Sequence, residues 1–177
     1  MRAFLQVSLA GTLPNAVPKL ILSLCSVKQL AQTLKHSASV PIGTKIFGEN
    51  MFGIHSIEYD GLKSAFYVFG VQHPDGSFAA WCEVQELAEA VDLPTVPVVF
   101  SGELQSEKEL QQLLEEHAAL PSAVSSSTVL PEGFVVRRPA AFEPKDFERN
   151  IIKYVRASHI QTDTSWLRTW KKAAIHP

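Results

Sequence analysis

Residues 66–71 read Phe-Tyr-Val-Phe-Gly-Val, an apolar run too short for a helix and closed by His73-Pro74-Asp75-Gly76, which has the chemistry of a turn. Such a run is a buried strand, and residues 78–82 are predicted to return as its hairpin partner. Upstream, residues 44–59 are rich in β-branched and aromatic side chains and contain Gly48 and Gly53. That pattern predicts two strand pieces with close backbone approach at the glycines. Downstream, it predicts a helix over 83–91, a strand over 95–100, and an amphipathic helix over 106–117 capped by Ser106 with Glu109 three residues on. Residues 133–137 and 150–155 read as two further short strands. Ser26 can cap a short helix to about His36, and Asp163 a final one containing Trp166 and Trp170. Irregular alternation with hairpin-like steps points to an α+β domain, mostly antiparallel sheet with flanking helices, rather than a doubly wound parallel sheet.

With 177 residues, 46% hydrophobic and 19% charged, the chain can bury one ordinary core. Its longest apolar stretch near the start, residues 20–25, falls far short of the roughly 20 residues a membrane-spanning helix needs. Cys25 and Cys82 stand far apart with no Cys or His at zinc-ligand spacing. A reducing intracellular compartment, cytoplasmic or nuclear, fits that usage. The first 25 residues contain no acid, as in an organelle-targeting leader, but a single Arg and scattered prolines make a poor presequence. The organisation expected is therefore a divergent segment over 1–27, disordered or leader-like, one domain over 28–170, and a tail over 171–177. Residues 121–131, small, polar and bounded by prolines, read as a flexible connection.

The net charge of −2 hides an uneven pattern, because residues from 137 onward carry nine Lys and Arg against four Asp and Glu. That basic third either meets phosphates or is a solvated face; charge alone leaves both open. Nothing in it is specific for DNA.

Four segments draw attention together: Phe47-Gly48-Glu49-Asn50, Phe66-Tyr67-Val68-Phe69, Glu132-Gly133-Phe134-Val135-Val136-Arg137 and Ile151-Ile152-Lys153-Tyr154-Val155-Arg156. Each alone reads blandly, as a buried glutamate, core aromatics, a loop-end carboxylate and an edge-strand charge. In this order and spacing they resemble the downstream motifs of the covalent nucleotidyltransferase superfamily of ATP-dependent ligases and capping enzymes, specifically its RNA-ligase-domain branch. The longer stretches 47–60, 93–98 and 153–163 are similar to that branch too, and the likeness covers about residues 28–166.

The resemblance implies a nucleotidyltransferase (ATP-grasp-like ligase) fold, incomplete here, using ATP and Mg²⁺ on an RNA substrate. Carried over by position, Glu49 would contact the nucleotide's ribose and Phe66 would stack on adenine, as an aromatic face suits a purine. Phe69 would point the same way as Phe66 only if the strand register is irregular. Glu132 would sit by the phosphate-bound Mg²⁺, for which an oxygen ligand is suited, and Lys153 would offset the α-phosphate charge. Family members often carry a second lysine two residues after the first; here Val155 stands there, with Arg156 beyond it. His159, Thr162 and Asp163 could help receive a nucleic-acid end, although capping of the Trp166 helix is the more economical explanation of Thr162 or Asp163.

The family's reaction begins when the lysine of a Lys-x-Asp-Gly motif attacks ATP. Here the two Asp-Gly pairs, Asp60-Gly61 and Asp75-Gly76, are preceded two residues earlier by Glu58 and His73. None of Lys19, Lys28, Lys35 and Lys45 is followed by x-Asp-Gly. The sequence thus implies an incomplete domain, whether a truncated product, a mispredicted gene model or a decayed paralogue, ancestrally an RNA-joining enzyme and inactive alone. The alternatives are a non-catalytic module that holds RNA or a protein partner, and an inactive fragment with no ligand.

Overall fold

The computed structural model describes residues 3–9, 40–54, 57–125, 128–156 and 171–176, the first stretch as main chain only. Its elements are β1 (Ala3–Leu9), β2 (Lys45–Asn50), β3 (Gly53–Ile54), β4 (Phe66–Gln72), α1 (Trp81–Ala90), β5 (Val98–Leu104), α2 (Glu107–Ala118), β6 (Gly133–Arg137), a 3-10 turn (Pro144–Asp146), α3 (Phe147–Asn150), β7 (Ile151–Val155) and β8 (Lys171–Lys172). Four strands form one sheet in the order β5-β1-β6-β7; β2 pairs with β4, and β3 with β8. The class is α+β. Three of the five described ladders are antiparallel, and β1 makes both parallel ones, lying between β5 and β6. Thus residues 3–9, inside the stretch set apart as divergent, occupy an inner position of the main sheet.

The turn after β4 forms as its residues require. Ser77 donates its N–H and Oγ–H to the Asp75 carboxylate at 2.9 and 2.7 Å, and Gly76 takes a φ of +94°. These bonds, the side-chain one first, hold the Asp75 carboxyl below its ordinary range. The return strand is shorter than expected: Phe78 bridges Gln72, but α1 has begun by Trp81. The cause is Glu83, whose carboxylate accepts the Ala80 N–H at 2.8 Å and so occupies the third helical position instead of the first. The predicted strand over 95–100 is displaced to Val98–Leu104. Val96 is instead hydrogen-bonded to Val68 of β4 at 2.9 Å, and Pro97, with no N–H, separates that bridge from β5. Helix α2 begins as predicted, Ser106 Oγ accepting the Glu109 N–H at 3.2 Å.

Residues 121–131 are not the free connection their composition implies. Among the described part, Val124 is buried in the core and Ser122 donates to the Val129 carbonyl at 2.8 Å. The helices expected over 26–36 and around Trp166 lie outside the described residues.

Strand β6 divides the interior. Phe134 and Val136 pack with Leu104, Leu110 and Leu114 of β5 and α2, while Val135 packs on the other side against the larger cluster of Tyr59, Leu62, Tyr67, Val68, Trp81, Val84 and Val124. Alternation along one strand therefore serves two cores. Arg137 is buried against the larger one. It is 2% exposed, donates to the carbonyls of Phe69 and Ala79 at 3.1 and 3.0 Å, and lies 5.3 Å from the centroid of the Trp81 ring.

Candidate functional site

Glu49 sits near the end of β2, half-buried and opposite Tyr67 of β4. The glycine before it is sterically required: a Cβ at Gly48 would lie 2.3 Å from the Phe66 ring and 2.7 Å from the Tyr67 carbonyl. Phe66, half-buried opposite Asn50, thus lays its ring across the backbone that presents Glu49. Register shifts between Phe47 and Gly48, so that Phe47 faces Gly70 while Gly48 faces Val68. Phe69 is the extra residue, and the irregular register on which its alignment with Phe66 depended is present.

Glu132 precedes β6 and has the mirrored arrangement, with its glycine following. A Cβ at Gly133 would meet the Tyr154 carbonyl at 2.1 Å, so only glycine lets β7 come this close. Beyond β7, the Arg156 N–H donates to the Glu132 carbonyl at 3.1 Å and its Nε to the Pro131 carbonyl at 3.3 Å. Arg156 therefore props the turn that carries Glu132. Lys153 pairs with Val135, which packs toward the Tyr59 cluster, so strand alternation puts Lys153 on that face of the sheet. Val155 shares this face and is 38% exposed.

Tyr59 gathers these groups. It is 3% exposed, a main-chain hydrogen bond from Glu132 reaches its phenol, and the charges of Glu132, Glu49 and Arg156 all act on it. Burial first, then the two carboxylates, push the phenol well above the usual tyrosine range, against the opposing effects of the Glu132 bond and Arg156. It stays a neutral donor and acceptor between two acids. Sequence reading passed over Tyr59, although the residue lies within the family-like stretch 47–60; its signal was a tyrosine ending a strand-rich segment, which by itself says core.

A cavity of about 630 Å³ lies elsewhere, lined by Ser77, Arg138, Phe142, Glu143, Asp146 and Arg149 among others, and includes none of these residues. Among the described residues no cluster of three or more His, Cys, Asp or Glu forms. A carboxylate such as that of Glu132 suits Mg²⁺ that arrives with phosphates, which keeps most of its water and takes one or two protein oxygens, rather than a resident ion in a protein cage.

A family model described as RNA ligase matches residues 16–155, well over half of the chain. This chain belongs to the RNA ligase family. No curated protein and no solved structure matched it. The RNA ligase match begins upstream of the motif-based likeness, yet the 140 residues it spans contain no Lys-x-Asp-Gly. The Asp60-Gly61 pair has another employment: Ser125 Oγ donates to the Asp60 carboxylate, and the Gly61 N–H to the Val124 carbonyl at 3.0 Å. No helix among the described residues is long and apolar enough to cross a membrane.

Proposed function

We propose that this RNA ligase domain binds an adenine nucleotide with Mg²⁺ and does not adenylylate itself through its own 177 residues. The observation that carries the reading is that Arg156 is hydrogen-bonded to the turn that carries Glu132, and that the charges of both, with that of Glu49, act on one buried phenol. In this reading Phe66 stacks on adenine, Glu49 meets the ribose and Lys153 and Arg156 face phosphate. Glu132 would take the Mg²⁺ that accompanies the triphosphate, a cation that would neutralise phosphate charge. A missing nucleophile removes the covalent step itself, so end joining would need an adenylate made elsewhere.

Incubation with α-labelled ATP and Mg²⁺ followed by denaturing electrophoresis should show no labelled protein, while equilibrium dialysis should show weak, Mg²⁺-dependent ATP binding that Glu132→Ala reduces about tenfold, the loss of one charge-assisted contact. A labelled band mapping to a lysine, or no nucleotide binding by folded protein, would overturn the proposal.

A second reading, a non-catalytic RNA-holding module, draws on β8. Lys171 and Lys172 are exposed, β8 pairs with β3, and Lys172 Nζ lies 5.4 Å from the centroid of the Phe52 ring, three residues beyond Glu49. RNA binding that weakens steeply with salt and persists in Glu132→Ala would favour it.

A further inference from the structure

Three consecutive residues hold the segment that carries Glu132. Tyr59 receives the main-chain hydrogen bond from Glu132 itself, Asp60 accepts from Ser125, and the Gly61 N–H donates to Val124 at 3.0 Å. The held segment is closed on itself by the Ser122-to-Val129 bond and anchored by buried Val124. Its far end is tied by Arg156 to the carbonyls of Pro131 and Glu132. Leu62, next in the chain and 1% exposed, accepts from the His176 N–H at 2.7 Å, so the holding residues are themselves fastened to the core.

Glu132 would otherwise stand at the end of a small, polar, serine-rich loop, where a carboxylate samples many positions. A group meant to meet phosphate-bound Mg²⁺ must be held within a fraction of an ångström, and supporting hydrogen bonds behind a ligand commonly do this. We propose that Tyr59-Asp60-Gly61 is a clasp that positions Glu132 for a metal-bound nucleotide phosphate, with Tyr59 as the positioning residue. This rests on the nucleotide-binding reading above. The clasp acts through Glu132 and touches no ligand.

Tyr67 supplies the control. It is as buried as Tyr59, at 4% exposed, and its phenol also takes one main-chain hydrogen bond, from Lys63 at 2.8 Å. Tyr59→Phe and Tyr67→Phe each delete one buried hydroxyl, but only the first releases Glu132. The readouts are the Mg²⁺ dependence of labelled-ATP binding and amide exchange at Glu132 and Arg156. Tyr59→Phe should raise the Mg²⁺ requirement roughly fivefold, one hydrogen bond's worth of positioning, and speed exchange at both amides. Tyr67→Phe, whose lost hydroxyl meets Lys63 and not Glu132, should change neither by more than about twofold. Equal effects of the two variants, or none from Tyr59→Phe, would overturn the clasp. Should wild type bind no ATP, the nucleotide reading falls and amide exchange alone decides the clasp. Should Tyr59→Phe fail to fold, Ser125→Ala, which cuts the clasp at Asp60, carries the same expectations.

Discussion

Two glycines illustrate what a single residue decides here. Gly48 and Gly133 each adjoin a candidate acid, and each is where another strand or ring comes within contact distance of the main chain. The Gly-Glu and Glu-Gly pairs therefore have a steric meaning independent of any ligand. Tyr59 makes its own prediction at this scale. Its folded-state phenol is held above the ordinary value of 10.0, so above that pH the unfolded chain loses a proton that the folded chain keeps. The stabilising contribution is complete below pH 10 and is lost progressively as pH rises beyond it. In urea unfolding followed by circular dichroism, the stability difference between wild type and Tyr59→Phe should be constant from pH 7 to about 9 and shrink above about 10, the unperturbed tyrosine pKa. A difference that grew there would contradict burial of a neutral phenol.

At the level of elements, caps and a bulge set where things begin. Helix α2 owes its start to Ser106, and its Glu109 also reaches back to accept the Gln105 N–H at 2.7 Å. Replacing Ser106 by Ala should cost about 1 kcal/mol in urea unfolding, the usual worth of an N-cap bond, and leave nucleotide binding unchanged, because α2 packs Leu110 and Leu114 on the side of β6 away from Tyr59. A loss of binding would mean that the two faces of β6 are coupled. The bulge at Phe69 has the opposite character: nothing in Phe-Tyr-Val-Phe-Gly-Val announces it, since it arises from pairing with β2. Likewise the serine-rich stretch 121–131 was legible as a loop but not as a packed one, because Val124 is buried by residues some sixty positions earlier.

For the molecule as a whole, the larger of the two cores is the point to test, because it holds a buried charge. Arg137 brings a charge into it, and burial lowers its guanidinium to about 10, which leaves it protonated at neutral pH. Its bonds to Phe69, Ala79 and Arg138 satisfy three donors. Arg137→Met should therefore destabilise the fold by about 3 kcal/mol, the scale for stranding buried carbonyls that had a charged partner, as read from the urea midpoint. A change under about 0.5 kcal/mol, typical of a surface site, would show that the larger core holds without it. The sequence alone determined the α+β class, most strands and helices, the family, and the lack of a Lys-x-Asp-Gly, since each follows from local periodicity, turn chemistry or residue order. Tertiary structure alone decided that residues 3–9 run between β5 and β6, that Arg137 is buried against Phe69 and Ala79, and that the phenol acted on by Glu49, Glu132 and Arg156 is that of Tyr59. Those outcomes depend on which distant segments share a surface once the chain is folded, and no local pattern encodes that pairing.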